Sequence, residues 1–131
     1  SRLGTAMNDI DPVLSAAQLA EKGGDLLGAE RLYRFLVDSN KGDREVISGL
    51  SRVLWLQGHL AQAQTTLNLI NMENRDWREH LLQAKIEIRR QRWNAGKGSL
   101  LLALHQRPGL RAAELLLGLC DRGIAGEIHA N

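Results

Sequence analysis

The chain has a single cysteine, Cys120, in 131 residues. One cysteine cannot close an internal disulfide, so no covalent framework holds the chain together. The compartment stays open, because a helical domain is stable without such bonds. Proline is nearly as scarce, with only Pro12 and Pro108. Aromatic residues amount to three Trp, one Tyr and one Phe, so the core must be built from Leu, Ala and Ile. β-Branched residues are few and scattered, which gives strands little support. Leu and Ala are strong helix formers, and an all-α chain is the only class that this composition favours. No apolar run is long enough to span a bilayer, and no signal-peptide pattern opens the chain. It begins Ser1-Arg2-Leu3 without an initiator Met. The sequence therefore reads as a soluble domain excised from a longer parent. Membrane association of that parent, and a cytoplasmic or periplasmic location, are both left open.

No sign of charge dominates either. The formal net charge is +2, with an acidic excess in residues 1–43 and a basic excess in residues 44–131. Basic residues cluster at Arg75, Arg78, Lys85, Arg89, Arg90 and Arg92, but Asp76, Glu79 and Glu87 interrupt them. Phosphate tracking needs a continuous positive surface, so nucleic acid is not the expected partner. Catalytic patterns are missing as well. His59, His80, His105 and His129 fall in different elements without metal-ligand spacing. Gly96-Lys97-Gly98-Ser99 lacks the strand and spacing of a phosphate loop. Cys120 lies in an apolar run and reads as a buried small hydrophobe. The expectation is no enzyme, no catalytic residue, no metal, no cofactor and no small-molecule substrate.

What the sequence does have is an internal repeat. Gly24-Asp25-Leu26-Leu27-Gly28-Ala29 recurs 34 residues later as Gly58-His59-Leu60-Ala61-Gln62-Ala63. A third copy comes one residue early, as Gln91-Arg92-Trp93-Asn94-Ala95-Gly96. A period of this length, with a small residue at a fixed point, indicates stacked helical hairpins. The first helix starts near Asp11, a capping residue type, with Pro12 at the first helical position. Its inward face is Val13, Ala16, Ala17 and Ala20 at helical spacing, and Gly23-Gly24 ends it. Leu26, Ala29, Leu32, Tyr33 and Leu36 line the second helix. Ile47, Leu50, Ser51 and Leu54 line the third, up to Leu56. Leu60, Ala63, Leu67 and Ile70 line the fourth. A third pair runs from about Asp76 to Arg90 and from Trp93 to Gln106, and a last helix from Leu110 to Arg122. Ala17, Ser51, Ala84 and Gly118 occupy one equivalent point of successive first helices. Ala29, Ala63 and Gly96 do so in the second helices. Small residues there let helices approach closely, and a bulky one would overpack the contact by about 1–3 kcal/mol.

This pattern resembles the tetratricopeptide repeat family. The small residues match in all three copies. Tyr33 stands at the family's aromatic position in the first, and Ala103 and Pro108 at its last two positions in the third. The chain departs where Val13, Ile47 and His80 replace the first-helix Trp, and no Pro follows the first two repeats. The resemblance implies a right-handed superhelical stack of about three helix-turn-helix repeats plus an extra C-terminal helix. Tails occupy 1–9 and 123–131, and the repeats span about 10–43, 44–76 and 77–110, with the extra helix at 110–122.

The resemblance also implies a protein-binding scaffold or adaptor, whose first helices line a concave groove. The groove positions are then Leu14, Gln18 and Lys22; Ser48, Arg52, Trp55 and Leu56; and Arg78, Leu81, Lys85, Ile88 and Arg89. They read as a positive rim of Arg52, Arg78, Lys85 and Arg89 around Trp55, Leu56, Leu81 and Ile88. A protein segment with apolar anchors and acidic flanks suits such a surface. The carboxylate clamp of some family members is not expected, since Leu14 and Gln18 replace half of it. By analogy with similar bacterial repeats, the expected role is assembly of a larger envelope, pilus or secretion complex. Leu110, Ala112, Ala113, Leu115, Leu116, Leu117, Leu119 and Cys120 leave the last helix little polar face, which a terminal helix needs. A longer array in the parent is the first explanation, with cover by another subunit or by the tail Gly123–Asn131 as the others. A homodimer through this helix is the alternative function, and an RNA-binding helical repeat is a third.

Overall fold

A computed structural model describes residues 11–39 and 42–130. The expected tail at 1–9, Asn40 and Lys41 of the first loop, and the side chain of Asp11 lie outside the described residues. Seven α-helices and one 3-10 turn make up the described chain, and no strand occurs among the described residues. The chain divides into two compact units, the first ending at Ile70 and the second beginning at Asn71.

The first unit holds α1 (Asp11–Lys22), α2 (Leu26–Asp38), α3 (Arg44–Leu56) and α4 (Leu60–Leu67). Aspartates set two of the starts. The Asp25 Oδ1 accepts the Gly28 N–H at 2.9 Å, and the Asp43 Oδ1 accepts the Val46 N–H at 3.1 Å. Each cap satisfies an amide that has no partner inside its helix. Each hairpin closes α1 on α2 and α3 on α4, and α3 also packs against α2 and α1. Ala17, Ala29, Ser51 and Ala63 are fully buried at these approaches. The Ser51 hydroxyl donates to the Ala63 carbonyl at 2.8 Å, which ties α3 to α4 without leaving a buried polar atom unmet. Around them Tyr33, Leu36, Val46, Val53, Leu54 and Leu67 are almost wholly removed from water.

Two details of the inward faces differ from the expectation. Ala16 is exposed, and among the described side chains of α1 only Ala17 is fully buried. Val46 and Val53 are fully buried, while Ile47 is half-buried. The face of α3 is wider than its leucines suggest because α1, α2 and α4 all pack against it. The fourth helix ends at Leu67, short of the expected Ile70. There the ladder tightens, with the Leu69 N–H donating to Thr66 and the Ile70 N–H to Leu67.

The second unit holds a 3-10 turn (Met72–Asn74), α5 (Trp77–Arg89), α6 (Trp93–Gln106) and α7 (Arg111–Ala130). A capping box opens α5: the Asp76 side chain accepts the Arg78 N–H at 2.8 Å, and Glu79 Oε1 accepts the Asp76 N–H at 2.9 Å. The helix α6 packs on α5 and on α7. Ala84, Leu100, Ala113 and Cys120 form the core there, with Leu81, Ile88, Trp93, Leu104, Leu116 and Leu117 packed against it. Cys120 is fully buried, and burial raises its thiol above the ordinary value.

The last helix corrects two expectations. It continues to Ala130, where a tail from Gly123 was expected. Gly123 is inside this helix because it faces the Trp93 indole: a Cβ there would come within 3.0 Å of the ring. The polar face expected to be missing is present, since Arg111, Glu114, Asp121 and Arg122 are all exposed. Lys97 reaches across from α6 to Asp121 at 2.9 Å. Gly118 does not make the expected close approach; a Cβ there would meet only the Arg122 side chain, at 3.6 Å. Gly96 does, with Ile88 and Cys120 at 3.3 and 3.4 Å from where its Cβ would be.

The turn within each pair needs left-handed backbone. Gly24 and Gly58 supply it with φ of 86° and 85°. In the third copy Gln91 adopts φ 59° instead. For a residue with a Cβ this conformation costs about 1–2 kcal/mol, and glycine carries no such cost. Gln91 is exposed, so Gln91→Gly is expected to stabilise the second unit by about 1 kcal/mol. Thermal unfolding checks this; an unchanged or lower midpoint contradicts it.

Candidate partner-binding face

The side chains placed on the inner side of the first helices are occupied more by one another than the sequence suggests. Arg52, in α3, forks onto Glu21 in α1, with Nη2 donating to Oε1 at 2.9 Å and Nε donating to the other oxygen. The Tyr33 hydroxyl, from α2, donates to the same Oε1 at 2.8 Å. One carboxylate therefore joins three helices. Burial works to raise the Glu21 carboxyl, but the hydrogen bond and charge of Arg52, with the Tyr33 hydroxyl, outweigh it and hold the group below the usual carboxylate range. The hydrogen bond to Glu21 raises Arg52 in turn. Burial, then Glu21, drives the Tyr33 hydroxyl upward. All three keep fixed charge states near neutral pH. Next to them Gln18 Nε2 donates to Glu45 Oε1 at 2.8 Å.

Beside this cluster the surface of the first unit opens into a concavity of about 710 Å³, lined by Ser15, Gln18, Leu19, Glu21, Lys22 and Leu56. Leu19 is 69% exposed and Leu56 44% exposed. Lys22 is exposed and has no hydrogen-bond or ion-pair partner among the described residues. Of the expected groove residues, Gln18, Lys22 and Leu56 thus meet at one opening. Arg52 borders it but is neutralised. Ser48 is buried, and Trp55 is half-buried next to Leu56. Leu14 is half-buried.

In the second unit the expected rim is altered similarly. Arg78 is exposed, donates to Asp76 at 2.9 Å, and stacks over Trp77 at 4.7 Å, with Arg107 over the same ring at 4.4 Å. Leu81 and Ile88 pack on the core of that unit, so they do not offer the anchors expected of them. Lys85 is half-buried and Arg89 is exposed. Of the expected positive rim, Arg52 and Arg78 each carry a carboxylate of their own.

Sequence reading missed Glu21, Ser15, Leu19 and Glu45. One signal could have found Glu21. It lies 31 residues before Arg52, one helical turn short of the repeat, which sets opposite charges side by side on successive first helices.

A second polar and ionic group runs from Arg75 along α5 to Glu87. Arg75, Glu79, His80 and Glu87 are all less than a tenth exposed. Gln83 Nε2 donates to Glu87 at 3.0 Å, and Arg75 Nη1 to Gln83 at 3.3 Å. Burial, then the Arg75 charge, lowers the His80 imidazole below its ordinary value, against the pull of Glu79 and Asp76. An imidazole lowered on folding binds its proton more weakly in the folded chain than in the unfolded one. Stability contributed by neutral His80 is complete above pH 6.5 and is lost as pH falls below it. His59, His105 and His129 are exposed. His80→Gln is therefore expected to shrink the drop in melting temperature between pH 7.5 and pH 5.5; an identical drop in both proteins rules this out.

No helix among the described residues is long and apolar enough to cross a membrane. No group of three or more His, Cys, Asp or Glu among them is placed to hold a metal ion. A family model described as a tetratricopeptide repeat matches residues 20–86, more than half of the chain. No curated protein and no solved structure matches it.

Proposed function

We propose, for a chain that belongs to the tetratricopeptide repeat family, that the first unit holds a segment of another protein against α1 and α3. Repeats of this family mediate protein–protein interaction and are typically non-enzymatic scaffolds. The observation that carries the reading is the open concavity beside Lys22 and Leu56, with two exposed leucines in its wall. Its volume lies within the range of about 300–1,000 Å³ common to ligand sites. Single exposed leucines need no explanation; two that share one hollow favour a docking point. The chain then works as an adaptor that helps assemble a larger complex. A bacterial envelope, pilus or secretion setting remains part of the proposal, on family analogy alone. Self-association through the last helix is less well supported, because Arg111, Glu114, Asp121 and Arg122 interrupt its outer side.

Affinity capture from the source lysate tests the reading. The chain is run beside a variant carrying Leu19→Glu and Leu56→Glu, both at exposed positions. A protein retained by the parent chain and lost by the variant supports the site. Equal retention by both moves the site elsewhere, and a concentration-dependent dimer with no retained protein favours self-association.

A further inference from the structure

Few of the groups that line the concavity on the first unit are left for a ligand to engage, and the inference drawn from them rests on the adaptor reading above. Glu21 accepts from Arg52 and Tyr33, and Gln18 donates to Glu45. These groups are already engaged, so a ligand gains little from them. Two apolar walls, Leu19 and Leu56, remain, together with Ser15 and the ammonium of Lys22. Lys22 is the only lining residue with a charge that no described residue neutralises.

We infer that this hollow takes a peptide segment with one large apolar side chain and an Asp or Glu within about one turn of it. The apolar side chain enters between Leu19 and Leu56, and the carboxylate lies beside Lys22. The energetics are unequal. Burying a large apolar side chain is worth more than one tenfold step in affinity. An exposed ion pair is worth at most a few-fold. The apolar residue therefore sets whether a segment binds, and the acid sets which of several apolar segments is preferred. A uniformly acidic segment without an anchor is a poor ligand, because Arg52 is already neutralised by Glu21.

The test uses fluorescence anisotropy of the full chain with three short labelled peptides. One carries Leu and Trp flanked by Asp and Glu, one the same anchors flanked by Lys, and one acidic residues around Ala. The acidic peptide with anchors is expected to bind most tightly, and the alanine peptide about tenfold or more weakly. Leu56→Ser is expected to cost about tenfold. Lys22→Glu is expected to cost a few-fold and to erase or reverse the preference over the Lys-flanked peptide. Circular dichroism confirms that both surface variants keep their helices. Equal binding of the acidic and Lys-flanked peptides overturns the inference, as does tight binding of the alanine peptide. Binding that neither variant weakens overturns it too, but leaves an adaptor with its site elsewhere. If none of the three peptides binds, the assigned chemistry is wrong, and the capture experiment decides separately whether the adaptor reading survives.

Discussion

Gly49→Ala is expected to destabilise the first unit by about 1–2 kcal/mol, although alanine is the better helix former. Gly49 is buried in the middle of α3. A Cβ there would come within 3.0 Å of Cζ, Cε1 and the hydroxyl of Tyr33. The ring cannot move aside easily, since Tyr33 is 1% exposed and its hydroxyl is held by Glu21 at 2.8 Å. Overpacking of this kind costs about 1–3 kcal/mol. The helix-propensity gain of about 1 kcal/mol returns only part of it. Chemical denaturation measures the net. The same substitution in a Tyr33→Leu background should cost clearly less, because the rigid ring is gone. Equal costs in both backgrounds would show that the ring is not what excludes a side chain at position 49.

Glu21→Ala carries a comparable effect, about 1–3 kcal/mol. The loss comes mainly from Tyr33. Its hydroxyl, on a residue that is 1% exposed, loses a charged acceptor at 2.8 Å. The Arg52 side chain is 43% exposed and can recover hydration, so its share is small. A double-mutant cycle with Tyr33→Phe separates the two: most of the cost of Glu21→Ala should vanish once the hydroxyl is gone. The sign with pH follows from the same site. A carboxyl lowered on folding contributes stability that is complete above its unfolded value near 4.5 and is lost as pH falls below it. Glu21→Ala should therefore also flatten the acid limb of the stability curve. The substitution releases Arg52 as well, and acidic peptides should bind the variant more tightly than the parent chain. A change in stability with no change in peptide preference would separate Arg52 from recognition.

The hairpins were legible in the sequence because glycine and alanine mark them. Gly24 and Gly58 take the left-handed turn, and Ala17, Ala29, Ala63 and Ala84 are fully buried. These are geometric requirements of a single position, and a single position shows them. Gln91 was harder to see. It takes the same turn without being a glycine, in a copy that comes one residue early. The end of α7 was misread for a related reason. Gly123 looks like a stop, but it is there to let the Trp93 ring approach.

The candidate site was legible only in part. Gln18, Lys22 and Leu56 line one opening of the first unit. The charge of the groove was not legible, because it depends on pairs. Arg52 reads as a free cation until Glu21, 31 residues away, is set against it. Leu81 and Ile88 read as anchors until the burial of Ala84, Leu100 and Cys120 shows which way their side of α5 faces. A residue list by repeat position cannot distinguish a satisfied arginine from an available one.

A partner segment docked against α1 and α3 of the first unit, as proposed, would shield their amides from water. Amide hydrogen exchange of the full chain, with and without a captured partner, reads that shielding. The expected result is slowed exchange confined to residues 15–22 and 52–56, with α6 and α7 unchanged. Slowed exchange along α7, with residues 15–22 unaffected, would contradict it.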